Sequence, residues 1–124
     1  MQIEFWQKAQ ENLADAEAAF EKGRFNASAN RAYYAALQAA IAALANEGFA
    51  SEKISHEWVQ SVFNRELTYR KKIYSAQMRS VLLDMQEVRN VADYKRMMLK
   101  KSDSKIQLEN AKEFVQSIQK RLEK

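Results

Sequence analysis

Apolar residues recur along most of the chain at intervals of three and four positions, which is the period of one face of an α-helix. A first stripe ends before Gly23 and consists of Trp6, Ala9, Leu13, Ala16 and Phe20. An alanine-rich second helix is predicted over about residues 26–46. Gly48 ends it, because glycine readily adopts the left-handed conformation that closes a helix. The pattern predicts an all-α protein.

Three more helices are predicted after Gly48. Ser55 is a suitable N-cap for a short third helix, and a long fourth helix is expected from about Tyr69 to Met98. Ser104 and Gln107 fit a capping box that opens a fifth helix. Five amphipathic helices with short polar connections predict an antiparallel up-and-down four-helix bundle with an additional short helix, forming one domain over residues 1–124.

Composition excludes several classes of site. The absence of cysteine rules out disulfides, thiolate catalysis and cysteine-bound metal, and no histidine or carboxylate cluster has metal-ligand spacing, so no metal or cofactor is predicted. The least charged stretch, residues 25–46, is rich in alanine and polar residues and is typical of a core helix. We therefore expect a cytoplasmic protein without a membrane partner. The net charge of +4 is compatible with a polyanionic partner but does not demonstrate one.

The most informative polar segment lies near the end of the fourth predicted helix. Arg89 follows Met85 by four residues, so it lies on the apolar stripe and should be partly buried, where an arginine needs partners. Asp93 is the expected partner one turn later, while Asn90 and Tyr94 form the adjacent ridge. Two interpretations stay open: a structural Arg89–Asp93 pair, or a site for an anion or nucleotide.

Five other candidate site residues each have a functional and a structural interpretation. Arg31 and Tyr34 on the second helix either stack on a base or fill the bundle. Lys95 and Arg96 either bind phosphate or complement the helix dipole. His56, the sole histidine, is either a polar residue at the start of the third helix or a proton-transfer group.

Taken together in their order, these segments resemble the HEPN family of small helical bundles. The resemblance rests on Ala32-Tyr33-Tyr34-Ala35 after Arg31, on Ser55-His56, and on the Arg-x-x-x-Asp-Tyr segment from Arg89 to Tyr94; it is greatest to an uncharacterised branch with these motifs. It implies a homodimer with a cleft near the polar end of the fourth helix, and pairing with a small nucleotidyltransferase. Many members are metal-independent ribonucleases or components of toxin–antitoxin modules.

This sequence departs from the family's ribonucleases at the catalytic histidine. In those members a histidine follows the arginine after four to six intervening positions, and Arg89-Asn90 matches only the beginning of that motif. The corresponding positions here hold Tyr94, Lys95 and Arg96; Arg96 also replaces the tyrosine that the nucleotidyltransferase modifies in some members. A phenol is a much weaker proton-transfer group than an imidazole near neutral pH, so Tyr94 does not easily replace the histidine. We expect weak ribonuclease activity or none, so whether the protein is an enzyme stays open.

Three functional hypotheses result. The first is a HEPN-type component of a toxin–antitoxin or nucleotidyltransferase-paired module, which binds RNA, a nucleotide or its partner enzyme through Arg89, Asn90, Asp93 and Tyr94 at a homodimer interface. The second is a metal-independent endoribonuclease in which Arg89 stabilises the phosphorane and Tyr94 or His56 moves protons. The third is a helical interaction module without a ligand.

Overall fold

The computed structural model describes residues 2–95 and 98–124, apart from the side chain of Arg79. Five α-helices follow one another: α1 (Gln2–Glu21), α2 (Phe25–Asn46), α3 (His56–Val62), α4 (Ala76–Tyr94) and α5 (Lys101–Leu122). An eight-residue π-helical segment, Phe63–Arg70, continues α3. The described residues contain no strand, and the all-α prediction is confirmed.

Helix α2 is the central element and packs against α1, α4 and α5. Eight of its ten alanines have almost no exposed surface, because small side chains let neighbouring helices approach closely. The prediction that this stretch is a core helix is confirmed. Among the described helices, none has both the length and the apolar character that crossing a bilayer requires.

Polar contacts at both ends of α2 establish the direction of α5. Near the start of α2, the Ser104 hydroxyl donates a hydrogen bond of 3.0 Å to the Phe25 carbonyl. Near its end, Arg121 Nε lies 3.3 Å from Glu47 Oε2. Helix α5 therefore runs parallel to α2, and the short connections make α1 and α4 antiparallel to it. The four long helices form the predicted up-and-down bundle, and α3 is the additional short helix.

Two predicted helix ends and one predicted helix start are confirmed. Gly23 and Gly48 have φ angles of +75° and +89°, the left-handed conformation that closes a helix with little cost for glycine. The Ser55 hydroxyl accepts a hydrogen bond of 3.0 Å from the Trp58 backbone N–H. Local sequence signals were sufficient at these three positions.

The predicted bounds of the fourth helix are wrong. Helix α4 begins at Ala76 and ends at Tyr94, whereas Tyr69 belongs to the π-helical segment that continues α3. The Lys71 N–H donates to the Glu66 carbonyl at 2.9 Å, which is the wider i→i+5 pattern of a π-helix. Lys72 then has a φ of +53°, which ends the segment and separates it from α4.

The predicted capping box is also wrong. Helix α5 begins at Lys101, so Ser104 and Gln107 lie within it and face the core. The buried Gln107 amide donates hydrogen bonds to the carbonyls of Ala29 on α2, at 3.3 Å, and Met85 on α4, at 2.9 Å. These side chains link helices instead of capping one.

Candidate functional site

Arg89 is buried among aromatic rings on the inner face of α4. Its residue exposure is 8%, which confirms the burial expected from the apolar stripe. The guanidinium carbon lies 5.5 Å from the ring centroid of Tyr33 and 5.6 Å from those of Tyr34 and Tyr94. These distances permit cation–π attraction, which is strongest where water is excluded. We call Arg89, Asp93 and these three tyrosines the Arg89 site.

The carboxylate of Asp93 connects the site to α2. Arg89 Nη1 lies 3.4 Å from Asp93 Oδ2, and Asn30 Nδ2 donates to the same oxygen at 2.8 Å. Arg89 Nε is buried and has no hydrogen-bond partner among the described residues. An unsatisfied buried donor typically costs about 1–3 kcal/mol. The protein therefore satisfies only part of the hydrogen-bonding capacity of Arg89.

His56 lies against the same two tyrosines as Arg89. Its Nδ1 atom is 2.9 Å from the Tyr33 hydroxyl, and its ring centroid lies 5.5 Å from that of Tyr33 and 5.8 Å from that of Tyr34. The sole histidine is thus a neighbour of the buried arginine. Sequence reasoning did not predict this proximity, because α3 and the end of α4 are far apart along the chain.

Burial keeps both partners of the His56–Tyr33 hydrogen bond uncharged near neutral pH. Burial and, secondly, the positive charge of Arg89 hold the pKa of His56 below its usual value. Burial raises the pKa of Tyr33 to about 12, against the opposing effects of Gln60 and Arg89. In the histidine tautomer that donates from Nδ1 to Tyr33, Nε2 carries a free lone pair that can accept a proton.

Arg31 and Tyr34 lie at the edge of the site. The Arg31 guanidinium carbon is 5.3 Å from the Tyr34 ring centroid, so Tyr34 contacts two arginines. Arg31 also hydrogen-bonds to Asn30 through Nε and Nη2, and its Nη1 donates to Asn12 Oδ1 at 3.2 Å. Arg31 therefore links α2 to α1. All three of its guanidinium nitrogens have hydrogen-bond partners, whereas Arg89 Nε has none among the described residues.

The remaining predicted site residues are Tyr94, Lys95, Asn90 and Arg96. Tyr94 ends α4 with 73% of its surface exposed, and its ring covers Arg89. Lys95 follows as an exposed residue. Asn90 is half-buried and makes no hydrogen bond or ring contact with the site within the described part of the chain. Arg96 lies outside the described residues.

A comparison with protein-family models identifies the family. The model of the HEPN domain matches residues 3–122. The chain belongs to the HEPN family. No curated protein sequence matches this HEPN chain.

Two members of the environment of Arg89 in this HEPN chain were missed by sequence reasoning. Neither Tyr33 nor Asn30 was among the predicted site residues. Asn30 precedes Arg31 on a helix that otherwise buries small apolar residues, and this polar position at a core edge was the available signal. Nothing in the sequence indicated that Tyr33 meets His56.

The acid sensitivity of the fold should depend on His56. Because the folded-state pKa of His56 is lowered, the unfolded chain takes up this proton first as the pH falls below about 6.5. The neutral His56 ring therefore makes its full contribution to the free energy of unfolding above that pH. This contribution is lost as the pH falls from there to the folded-state pKa of His56. Urea unfolding of wild type and His56→Gln at about pH 7.5 and pH 5 should show the smaller acid-induced loss in the variant. Equal losses would contradict this prediction.

Proposed function

We propose that this protein is a HEPN-type component of a toxin–antitoxin or nucleotidyltransferase-paired module, and that its Arg89 site binds a phosphate group of RNA or a nucleotide. The observation that carries the proposal is the buried Arg89 guanidinium, whose Nε–H lacks an acceptor among the described residues. A bound phosphate oxygen supplies that acceptor.

The chemistry of the site favours a nucleotide over a simple anion. A guanidinium donates two parallel hydrogen bonds to a phosphate, and aromatic rings stack on unpaired bases. Tyr34 and Tyr94 flank Arg89 on the accessible side, and Tyr94 is largely exposed. Tyr94 is therefore the side chain that an entering ligand displaces to reach Arg89.

The homodimer is part of the proposal. Tyr94 and Met98 each have 73% of their surface exposed at this end of the bundle, and large exposed apolar groups favour a partner surface. A second copy placed here converts the open side of the Arg89 site into a cleft. Sedimentation velocity should show a dimer, and Tyr94→Lys should shift it towards the monomer. A wild-type protein that stays monomeric at high concentration would remove the dimer from the proposal.

Membership of a two-protein module is tested separately from ligand binding. Co-expression with a small nucleotidyltransferase encoded next to this protein should yield a complex that survives size-exclusion chromatography. Separate elution of both proteins would argue against pairing with that enzyme.

Phosphate recognition is tested by the melting temperature in the presence of adenosine monophosphate, adenosine or inorganic phosphate. A ligand at a hundredfold excess over its dissociation constant stabilises the fold by about 2.7 kcal/mol. We expect adenosine monophosphate to raise the melting temperature and adenosine to leave it unchanged, because only the former satisfies Arg89. Lys8→Gln is the control, since it removes an exposed cation that is not a candidate site residue, and it should respond to adenosine monophosphate as wild type does. Equal effects of nucleotide and nucleoside would refute phosphate recognition.

A second candidate is the metal-independent endoribonuclease, and the position of His56 favours it. His56 and Arg89 contact the same pair of rings, Tyr33 and Tyr34. In this mechanism a ribose 2′-hydroxyl attacks the adjacent phosphorus and loses its proton to His56 Nε2. Arg89 stabilises the phosphorane, and the departing 5′-oxygen receives a proton from Tyr94 or water.

Cleavage of RNA in EDTA tests the ribonuclease candidate. Wild type should produce fragments ending in a cyclic phosphate, and Arg89→Ala and His56→Ala should each reduce the rate by at least about a hundredfold. Tyr94→Phe shows whether the phenol takes part. A wild-type rate no higher than that of these variants would eliminate this candidate and leave the binding proposal intact.

A further inference from the structure

The opposite end of the bundle contains a concentration of positive charge. A cavity of about 460 Å³ is lined by five cationic residues from two segments: Lys71 and Lys72 in the connection before α4, and Lys120, Arg121 and Lys124 at the end of α5. No carboxylate among the described residues lines it. We call this cavity the lysine pocket.

Stabilisation of α5 does not explain this arrangement. Cations near a helix C-terminus interact favourably with the helix dipole, which accounts for the residues on α5. Lys71 and Lys72 come from a different segment, and their approach adds repulsion between like charges. Arg121 is paired with Glu47, but none of the four lysines forms an ion pair within the parts of the chain that the structure describes. A bound polyanion removes this repulsion.

The backbone at Lys72 is held in an unfavourable conformation. Its φ of +53° lies in the left-handed region, which is unfavourable for residues other than glycine. Flanking hydrogen bonds hold it there: Lys71 N–H donates to the Glu66 carbonyl at 2.9 Å, and Ile73 N–H donates to the Leu67 carbonyl at 2.8 Å. This connection places both lysines at the same pocket.

An exposed aromatic ring lies beside the positive charge. A neighbouring cavity of about 430 Å³ shares Lys72, Ile73 and Tyr74 with the lysine pocket and is also lined by Tyr69. Tyr69 has 76% of its surface exposed, whereas the buried Tyr74 hydroxyl has no hydrogen-bond partner in the described part of the chain. Burial, reinforced by the charge of Glu47, raises the pKa of Tyr74 to about 12, so its hydroxyl remains a donor.

We propose that the lysine pocket binds successive phosphate groups of single-stranded RNA while Tyr69 stacks on an adjacent base. A basic groove beside a free aromatic ring is the usual combination for single strands, because unpaired bases offer their faces for stacking. A membrane surface fits less well, since Tyr69 is the one highly exposed large apolar or aromatic side chain in the described lining of these two cavities.

This surface is separate from the Arg89 site. The Ser104–Phe25 and Arg121–Glu47 contacts mark opposite ends of the bundle. The part of α5 between them spans about 25 Å at the helical rise per residue. The inference therefore goes beyond the proposed function and survives if that function fails.

The test is fluorescence anisotropy with a labelled oligouridine of about 12 nucleotides at about 50 and 200 mM salt. The variant Lys71→Gln/Lys72→Gln/Lys120→Gln should bind at least about tenfold more weakly and reduce the salt-dependence slope by about 2. Lys22→Gln/Lys53→Gln/Lys105→Gln removes the same charge elsewhere and should bind nearly as well as wild type. Tyr69→Leu should weaken binding about fivefold through lost stacking.

Several outcomes would overturn the inference. An equal loss of oligouridine affinity in both triple variants would show that binding depends on net charge alone. Competition by inorganic phosphate as effective as that by unlabelled RNA, at equal phosphate concentration, would indicate a free-ion site. Binding to phosphatidylserine vesicles without binding to RNA would indicate a membrane surface. In an Arg89→Met background, the triple variant of Lys71, Lys72 and Lys120 should still bind oligouridine at least about tenfold more weakly than Arg89→Met alone, which separates this inference from the proposed function.

Discussion

Replacing Arg89 with methionine should abolish phosphate-dependent ligand binding at the Arg89 site. Among the described residues, Arg89 is the one cation that lies against all three rings of Tyr33, Tyr34 and Tyr94. Hydrogen bonds to charged groups contribute about 1.5–3 kcal/mol each. Loss of two such bonds weakens adenosine monophosphate binding at least about a hundredfold. Isothermal titration calorimetry at low salt measures this loss.

Two further variants sharpen the Arg89 experiment. Arg89→Lys keeps the charge but lacks the planar fork, so it should recover only part of the affinity. Arg65→Met is a matched control, because Arg65 is 62% exposed and already paired with Glu66 at 3.0 Å. If Arg89→Met binds the nucleotide as tightly as wild type, the Arg89 site is structural, and the helical interaction module without a ligand becomes the better hypothesis.

Replacing Asp93 with alanine should lower the free energy of unfolding by about 2 kcal/mol, because it leaves the buried Arg89 without its carboxylate. For a chain of this size the melting temperature should fall by about 8 °C. Adding Arg89→Met to Asp93→Ala should restore part of this loss, since the uncompensated charge is then gone. Urea unfolding of both single variants and the double variant measures their coupling.

The control for the Asp93 experiment lies on the same helix. Asp84 is exposed on α4, and Asp84→Ala should change the free energy of unfolding by less than about 0.5 kcal/mol. A comparably small effect for Asp93→Ala would mean that solvent replaces the carboxylate, and that the pair with Arg89 does not stabilise the fold.

The stability and binding results together separate the structural and functional interpretations of Arg89. If the Arg89–Asp93 pair is only a link between helices, Arg89→Met alters unfolding but no ligand affinity. If the site binds phosphate, the same variant loses affinity even under conditions where its fold is intact. Far-UV circular dichroism at the temperature of the binding experiment establishes whether the Arg89→Met variant is folded when its affinity is measured.

Helix existence was predictable because it depends on local periodicity, but two details were not. The predicted start of α4 at Tyr69 is too early, because the π-helical hydrogen bonds of residues 63–70 and the left-handed backbone of Lys72 are not visible in an apolar pattern. Ser104 and Gln107 have the spacing of a capping box, but buried carbonyls on neighbouring helices take their hydrogen bonds.

The sequence by itself determined the helices, the burial of Arg89 and its pairing with Asp93, since positions four residues apart on a helix share one face whatever surrounds it. Only the tertiary structure decided that His56 and Tyr33 meet, that Asn30 reaches Asp93, and how the lysine pocket forms. Those contacts join residues on separate elements. Their geometry depends on how whole helices pack, which the period of a single helix does not specify.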